Sequence, residues 1–277
     1  MRAALLQLTS SDDPPENVAT VRGMMREAAE GGATFVLTPE VTNCVSSSRA
    51  WQEKVLRHEE DDATLAALRA EAADLGLWLL IGSLGLRTHD ADGRFANRSF
   101  LIGPDGAIAA RYDKIHMFDV QIGENEGIRE SAGYRPGAAA VVADTPFAKI
   151  GLSVCYDVRF PYLYRALAQA GAEVLTVPSA FHPVTGAAHW EVLLRARAIE
   201  TGCFVLAPAQ TGTHKAHEGK PRQTYGHSMA VAPWGEILAQ AGEAPGVVYV
   251  DLDRSEVERS RRRVPSLTHD RTFEGPE

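Results

Sequence analysis

The sequence is poor in cysteine, with three in 277 residues, and an odd number of thiols in a chain this long argues against a disulfide framework. It has no run approaching the roughly 20 apolar residues that a membrane-spanning helix requires. Its first ten residues carry one positive charge and a short apolar run, which fits a β-strand better than a signal peptide. We therefore expect a protein of a reducing compartment, the cytoplasm, without a membrane partner.

Positive charge is scarce as well, because 28 basic residues face 36 acidic ones and the net charge is −8. This balance argues against nucleic acid or an anionic membrane as the main partner. The one basic cluster, RSRRR at 259–263, is expected to cover a solvated helix face. No proline-rich or serine-rich linker divides the chain, so we expect a single α/β domain over residues 1–277.

The N-terminal part alternates strands with helices. Apolar runs predict strands at 3–8, 34–40 and 77–86, and helical periodicity predicts helices at 15–30 and 62–76. A β-α-β-α-β order implies neighbouring parallel strands joined by helical crossovers.

From residue 95 the pattern becomes richer in strands. A hairpin is predicted over 95–114, with its turn at Gly103-Pro104-Asp105-Gly106. After a polar stretch at 121–139, strands alternate with helices at 160–171 and 188–201, and three more candidate strands follow. This rhythm suggests two sheets packed face to face with helices outside, a four-layer α-β-β-α sandwich, although one doubly wound sheet also fits it.

Cys155 lies in GLSVCYDVRFP, residues 151–161, where an apolar strand runs into a turn. Strand ends are where α/β proteins place reactive groups, but free cysteine is also among the most buried residue types. Position alone leaves a nucleophile and a core residue equally open. Cys203, in apolar GCFVLA, is expected in the core, while the role of Cys44 stays open. GLSVC matches a G-x-S-x-G serine elbow only in part.

A nucleophilic thiol needs a base and a cation nearby. Glu40 closes the apolar stretch FVLTPE, and Lys114 closes AIAARYDK. Taken singly, a charge at a strand end is more often a surface residue. Three such residues at three strand ends form a more specific set.

These residues lie in LTPE, RYDKIHMFD and SVCYDVRFP, which resemble motifs of the nitrilase superfamily of carbon-nitrogen hydrolases. The similarity continues through GAEVLTVPSAF, HWEVLLRARAIETGCFVLAPAQ, YGHSMAVAPWGEILA and VPSLTHDR, and so covers almost the whole chain. Each motif alone is weak, but the ordered set is specific. The resemblance implies an α-β-β-α sandwich and an amidase that needs no metal or organic cofactor.

The resemblance also implies a catalytic triad of Glu40, Lys114 and Cys155. In these roles Cys155 attacks an amide carbonyl, Glu40 takes the thiol proton, and Lys114 favours the negative charge. Lys114 and the backbone N–H of Tyr156 then stabilise the oxyanion. The products are an acid and ammonia, formed through a thioester on Cys155.

A second family glutamate falls sixteen positions after the lysine in similar amidases, which is Glu130 in IRES. Its expected task is to position Lys114 or the substrate. Glu124 and Glu126 stay open as alternatives because the loop varies in length. Other branches place this glutamate where the chain has Gln121.

The substrate expectation comes from the similarity to the branch of deaminated glutathione amidase and omega-amidase, which act on carboxylated α-keto acid amides. Arg159 matches an arginine that holds the substrate carboxylate, and Thr185 matches a hydroxyl contact near it; a guanidinium fork suits the carboxylate. The alternative for Arg159 is a structural ion pair with Asp157 or a helix-end carboxylate. Tyr162 departs from the glutamate that is usual after RFP in this branch, a difference that removes a charge and alters the expected edge of the pocket.

Three other readings remain open: hydrolysis of N-carbamoyl amino acids, hydrolysis of nitriles, and a binding protein that has lost catalysis. His214 and His217 in THKAHE are expected to decorate a polar loop rather than bind a metal. The family's fold implies a homodimer or a larger homo-oligomer, with the C-terminal tail at about 253–277 in the subunit interface.

Overall fold

The computed structural model describes residues 1–123 and 126–276 and contains sixteen strands and six helices in that part of the chain. The strands are β1 (Arg2–Gln7), β2 (Phe35–Leu37), β3 (Trp78–Leu86), β4 (Ala96–Ile102), β5 (Ile108–Asp113), β6 (Asp119–Gly123), β7 (Glu126–Arg129), β8 (Val141–Asp144), β9 (Lys149–Leu152), β10 (Val174–Thr176), β11 (Phe204–Ala207), β12 (Thr211–Thr213), β13 (Gln223–Tyr225), β14 (Met229–Val231), β15 (Ile237–Gln240) and β16 (Gly246–Asp251). The helices are α1 (Pro14–Glu30), α2 (Arg49–Val55), α3 (Ala63–Leu75), α4 (Pro161–Gln169), α5 (Pro183–Thr201) and α6 (Ser255–Arg263).

Two six-stranded sheets form the centre of the fold. Their strand orders are β16-β1-β2-β3-β4-β5 and β15-β14-β11-β10-β9-β8. Within them β1, β2 and β3 are parallel, as are β9, β10 and β11, while the edge pairs are antiparallel. The parallel strands with helical crossovers are therefore confirmed, and two sheets replace the alternative of one doubly wound sheet.

The side chains of β1 show how the layers are built. Ala3 and Leu5 join the large core that the two sheets share, whereas Ala4 and Leu6 pack with α1 and α3 on the other face. This alternation follows from the two-residue period of a strand. Because α4 and α5 pack on the second sheet, the layers run α-β-β-α, as expected.

Helix boundaries follow local signals. The side chain of Asp62 accepts the N–H of Leu65 at 2.8 Å and starts α3, which ends at Gly76 with a φ of 64°. The predicted starts of α1 and α3 are right to within a residue. The helix predicted from 188 instead begins at Pro183, since proline is preorganised for the first turn of a helix.

Some elements carry no clear sequence signal. Neither α2 nor the β12–β13 ladder was expected, and the polar stretch at 121–139 includes most of the β6–β7 hairpin. The basic cluster does lie on a helix, α6, but Arg261 donates to Ala172 O at 2.6 Å and so is not wholly solvated. Within the described residues, no helix is both long enough and apolar enough to cross a membrane.

Candidate active site

A cavity of about 550 Å³ brings together six of the seven predicted site residues. Its lining includes Glu40, Lys114, Glu130, Cys155, Tyr156 and Thr185, while Arg159 is not part of it. Glu40 and Lys114 follow β2 and β5 of the first sheet, and Cys155 follows β9 of the second, so the packing of the two sheets brings them together. Glu130 follows the β6–β7 hairpin, and Thr185 lies in the first turn of α5.

Glu40 is fixed by a tight turn after β2. The next residue, Val41, has a φ of 47°, unusual for a β-branched side chain, and its N–H donates to Ser83 Oγ at 2.8 Å. Gly82 on β3 passes so close that an added Cβ would lie 2.0 Å from Thr38 O. Only a glycine allows this approach, which keeps the turn that carries Glu40 against β3.

Cys155 does not end the strand itself. β9 stops at Leu152, and Cys155 begins a 3-10 turn, Cys155–Arg159, with a φ of 50°. Its backbone N–H donates to Pro178 O at 2.9 Å. A non-glycine residue in this conformation is strained, and such strain clusters at functional sites. The turn therefore sets the thiol at the cavity wall.

Asp157 holds this turn in place. It accepts hydrogen bonds from the Tyr112 hydroxyl at 2.7 Å, the Val154 N–H at 2.9 Å and the His116 N–H at 3.0 Å. Since Asp157 is taken up by these donors, the ion pair with Arg159 that we considered does not form.

Lys114 lies between two carboxylates. Its Nζ is 2.8 Å from Glu40 Oε1, and 3.0 and 2.8 Å from the two oxygens of Glu130. The side chain is 2% exposed, so these charges interact away from bulk water. Glu130 is therefore the glutamate that contacts Lys114; the alternative Glu124 and the side chain of Glu126 lie outside the described residues.

Two further groups in this network were not predicted. Asn97 Nδ2 donates to Glu40 Oε1 at 2.9 Å and to Glu130 Oε1 at 3.3 Å. The backbone N–H of Ala180 donates to Glu40 Oε2 at 2.9 Å. No local sequence pattern predicts that an asparagine inside a strand, or a particular backbone N–H, will contact Glu40. Both hold the Glu40 carboxylate in one orientation.

The charges shift the pKa values of all three residues. Burial raises the pKa of the Cys155 thiol well above its ordinary value, and the Glu40 carboxylate adds to the rise. Burial would also raise the pKa of Glu40, but the charge and hydrogen bond of Lys114 hold it below the usual range. Burial would lower the pKa of Lys114, yet Glu130 and Glu40 raise it well above the usual range.

The resting site thus pairs a neutral thiol with a carboxylate and an ammonium. Lys114 does favour the thiolate, as expected, but burial and the charge of Glu40 outweigh it. A carboxylate beside a protonated thiol can accept its proton as the sulfur attacks. Chemically, the arrangement can carry out nucleophilic attack assisted by a general base, with a fixed cation nearby.

The remaining predicted residues surround this centre. Tyr156 lies in the first turn of the 3-10 helix, where N–H groups have no intrahelical acceptor. Thr185 Oγ1 donates to His182 O at 3.3 Å. The guanidinium of Arg159 lies 5.7 and 5.4 Å from the ring centroids of Tyr156 and Phe181, so it sits behind two lining residues.

The histidines of THKAHE have structural contacts. His214 is buried rather than on the surface of a polar loop, which corrects the expectation; its Nδ1 donates to Ser10 O and its Nε2 lies against Thr224 Oγ1, both at 2.7 Å. His217 Nδ1 lies 2.7 Å from Asp12 Oδ1. Among the described residues, the grouping that has the arrangement of metal ligands, His58, Glu60 and His89, does not line the cavity.

The other two thiols occupy different surroundings. Cys203 is buried in the main core, as expected. Cys44, whose role was open, lines the cavity, and burial raises its pKa to about 12. A thiol with so high a pKa is a poor nucleophile without a base.

Known proteins resemble this chain over nearly its whole length. The carbon-nitrogen hydrolase family model matches residues 2–262. Curated relatives named deaminated glutathione amidase include one from Yersinia enterocolitica, 40% identical over 97% of this chain and 92% of its own length. Another, from Homo sapiens, is 42% identical over 97% of this chain and 81% of its own length.

Solved structures agree. The Caenorhabditis elegans NitFhit protein matches 98% of this chain with a TM-score of 0.89 at 37% identity, and the chain spans 65% of that longer protein. A Saccharomyces cerevisiae member of branch 10 of the nitrilase superfamily gives 0.86 at 29% identity, over 99% of this chain and 97% of its own. A mutant amidase from Nesterenkonia sp. AN1, with acrylamide added at its active site cysteine, gives 0.77 at 28% identity, over 96% and 98%. The chain therefore belongs to the carbon-nitrogen hydrolase family of the nitrilase superfamily, and it is an amidase.

Proposed function

We propose that this amidase uses Cys155 as its nucleophile to hydrolyse the amide bond of a small carboxylated keto acid amide, of the deaminated glutathione or α-ketoglutaramate type. The observation that carries the proposal is the set of contacts around Lys114. A buried ammonium, two carboxylates and a thiol share one cavity, which is the set of groups that acyl transfer through a thioester needs.

In the first half-reaction Glu40 takes the thiol proton as sulfur attacks the amide carbonyl carbon. The oxyanion forms near the Lys114 ammonium and the N–H of Tyr156; one well-placed donor contributes about 3–4 kcal/mol to such a step. Collapse of this intermediate breaks the C–N bond, and Glu40 returns the proton to the leaving nitrogen. The acyl group then stays on Cys155 as a thioester.

In the second half-reaction Glu40 takes a proton from water, and the resulting hydroxide attacks the thioester carbonyl. Collapse releases the acid, and the sulfur regains its proton from Glu40. Asn97 and the N–H of Ala180 keep the carboxylate oriented for both transfers. Glu130 positions Lys114 and does not itself exchange protons.

The leaving group depends on the substrate. A primary amide such as α-ketoglutaramate releases ammonia, whereas the amide nitrogen of deaminated glutathione belongs to a dipeptide. A volume of about 550 Å³ lies within the roughly 300–1,000 Å³ of pockets for drug-sized ligands and exceeds what a five-carbon amide fills. The cavity size and the names of the relatives together favour the larger substrate.

The carboxylate of the acyl part is assigned to Arg159 and Thr185. Thr185 lines the cavity, and the stack of Arg159 on Tyr156 and Phe181 places a guanidinium next to that wall. A small movement of the Phe181 or Tyr156 ring would open Arg159 to the ligand. Arg159 Nη1 also lies 3.3 Å from Nδ1 of the exposed His189.

The direct test measures free amine and keto acid from deaminated glutathione, α-ketoglutaramate, an N-carbamoyl amino acid and a nitrile in parallel. We expect turnover of the first two and an acyl adduct on Cys155 by intact-mass spectrometry. Cys155→Ala should abolish both turnover and the acyl adduct. Cys203→Ala, which changes a thiol in the core, should retain turnover and the adduct. Turnover of the N-carbamoyl compound alone would refute the substrate assignment, and no adduct with any amide would favour a binding protein.

We also propose that the protein forms a homodimer through the α4–α5 layer. Val184, Val192 and Ile199 are 61%, 68% and 56% exposed, and their spacing of eight and seven residues puts them on one side of α5. The C-terminal tail extends this surface around Ser266, because Arg165 on α4 donates to Ser266 O at 2.9 Å. For the location we retain the cytoplasm, supported by three free thiols.

A further inference from the structure

Arg222 lines the active-site cavity, and its guanidinium has no hydrogen-bond or ion-pair partner among the described residues. Two other arginines line the cavity. Arg129 is exposed, and its charge acts on Asp119. Arg49 provides the contrast. Arg49 donates to Gly133 O at 2.8 Å, Gly93 O at 2.6 Å and Glu53 Oε1 at 3.0 Å, so its fork is used within the protein. Arg222 is half-buried, and its five N–H donors are available to a ligand in the cavity.

The backbone that carries Arg222 is firmly held. Its carbonyl accepts the N–H of His214 at 2.9 Å, and His214 is buried with both ring nitrogens bonded. The same loop is attached again where Ser47 Oγ donates to Lys220 O at 2.7 Å. An arginine on a fixed loop loses less conformational freedom when it binds a ligand.

The surroundings of Arg222 place it on a different wall from Arg159. Burial raises the pKa of Cys44 to about 12 and raises that of Tyr134, and the positive charge of Arg222 opposes both rises. Its charge is therefore felt at Cys44 and Tyr134, which line the cavity beside Gln52 of α2. Arg159 instead lies against Tyr156 and Phe181.

The charge of the catalytic centre makes a second cation useful. Glu40, Glu130 and Lys114 sum to a net charge of −1 while the thiol is neutral, which repels an anionic substrate. A substrate with a carboxylate on each side of the scissile amide needs one cation for each. Arg159 is assigned to the acyl side, and the leaving side has no other assigned cation.

We propose that Arg222 binds a carboxylate on the leaving-group side of the substrate and so selects amides of amino acids or short peptides over primary amides. This inference rests on the proposed function and adds the chemistry of the amine half. A guanidinium fork pairs with a carboxylate through two parallel N–H···O bonds, a geometry that lysine cannot reproduce.

Two substrates with the same acyl group test this assignment. Deaminated glutathione carries a carboxylate on its leaving dipeptide, and α-ketoglutaramate has only NH₂ there. Arg222→Met should lower kcat/KM for deaminated glutathione by about 10- to 100-fold, mainly through KM, as expected for loss of a charged hydrogen bond. For α-ketoglutaramate kcat/KM should change less than about threefold, so the ratio of the two values reports the effect.

Arg222→Lys should recover part of the loss, because it restores the charge without the fork. The matched control is Lys220→Met, which removes one positive charge from the same loop at an exposed position outside the cavity; both kcat/KM values should stay at the wild-type level. An equal loss for both substrates, or no loss for either, would overturn the inference alone. A wild-type enzyme that hydrolysed neither would overturn the proposed substrate class and this inference with it.

Discussion

Glu130 holds the Lys114 ammonium with both of its carboxylate oxygens, at 3.0 and 2.8 Å. The same carboxylate accepts the N–H of Phe118 at 2.6 Å, which ties it to the chain just after the lysine. Lys114 therefore has an anchor besides Glu40. In the proposed mechanism this second carboxylate keeps the ammonium in place while Glu40 gains and loses its proton.

Glu130→Gln should separate positioning from proton transfer. The variant keeps an oxygen for Lys114 but loses the charge, so we expect kcat to fall about 10- to 100-fold with KM changed less than about threefold. Glu40→Gln removes the proposed general base and should lower kcat by at least about 10³-fold, a loss at the upper end for general base catalysis. Steady-state kinetics measure both. If E130Q lowered kcat as much as E40Q does, Glu130 would instead have a direct role in the chemical step.

Tyr162 stands where the sequence resemblance led us to expect a glutamate, and its hydroxyl bonds to His116 Nε2. His116 Nδ1 lies 2.7 Å from Asp157 Oδ1, and Asp157 holds the Cys155 turn. The tyrosine is thus connected to the proposed nucleophile only through His116 and Asp157.

Tyr162→Phe should have a small effect, because the side chain is 64% exposed and water replaces the lost hydrogen bond. We expect less than about 1 kcal/mol in the free energy of unfolding and less than about twofold in kcat. Urea denaturation and steady-state kinetics on the same preparation check both values. A tenfold fall in kcat at unchanged stability would show that the hydroxyl takes part in the site, and Tyr162→Glu would then test whether a carboxylate replaces it.

The sequence predicts candidate site residues best where an ionisable or nucleophilic side chain stands at the end of an apolar run. Glu40, Lys114 and Cys155 each stand at such an end, and the ordered motifs around them predict that they act together. Asn97 and Ala180 could not be found this way, since their contacts with Glu40 join residues 57 and 140 positions apart. The left-handed φ of Cys155 likewise comes from tertiary packing.

Arg222 is a similar case, because an arginine in a polar loop looks like a solvated surface charge. The role proposed for Arg222 depends on where that loop folds and on its guanidinium having no hydrogen-bond or ion-pair partner in the described part of the chain. The early start of α5 at Pro183 shows the opposite situation, in which a local signal was present but the helical period was weak.

The dimer proposal predicts that one charge on α5 separates the subunits. Val192 is 68% exposed, and Val192→Asp puts a carboxylate in the centre of the apolar surface formed with Val184 and Ile199. Light scattering at micromolar concentration should show a dimer for wild type and a monomer for the variant. Ala19→Asp adds the same charge to the exposed side of α1 and should stay dimeric. A V192D protein that remained a dimer would exclude this face as the interface.

His214 predicts how stability depends on pH. Burial lowers the pKa of this imidazole to about 4 in the folded protein, whereas an unfolded chain has a histidine pKa of about 6.5. Between these values the unfolded state binds a proton that the native state does not, so the free energy of unfolding falls as the pH drops from about 6.5 to 4. The full loss from this group is about 3 kcal/mol. Above pH 7 the imidazole is neutral in both states and contributes no slope.

His214→Gln should be less stable than wild type at pH 7, because it disturbs the contacts with Ser10 and Thr224. Its free energy of unfolding should nevertheless fall less steeply between pH 6.5 and 4. The difference in slope should correspond to about one fewer proton taken up on unfolding. Urea denaturation at half-unit steps of pH measures this slope, and His269→Gln, a change of an exposed imidazole, provides the comparison. If H214Q and wild type lost stability in parallel over this range, the acid sensitivity would have to come from groups other than the buried histidine.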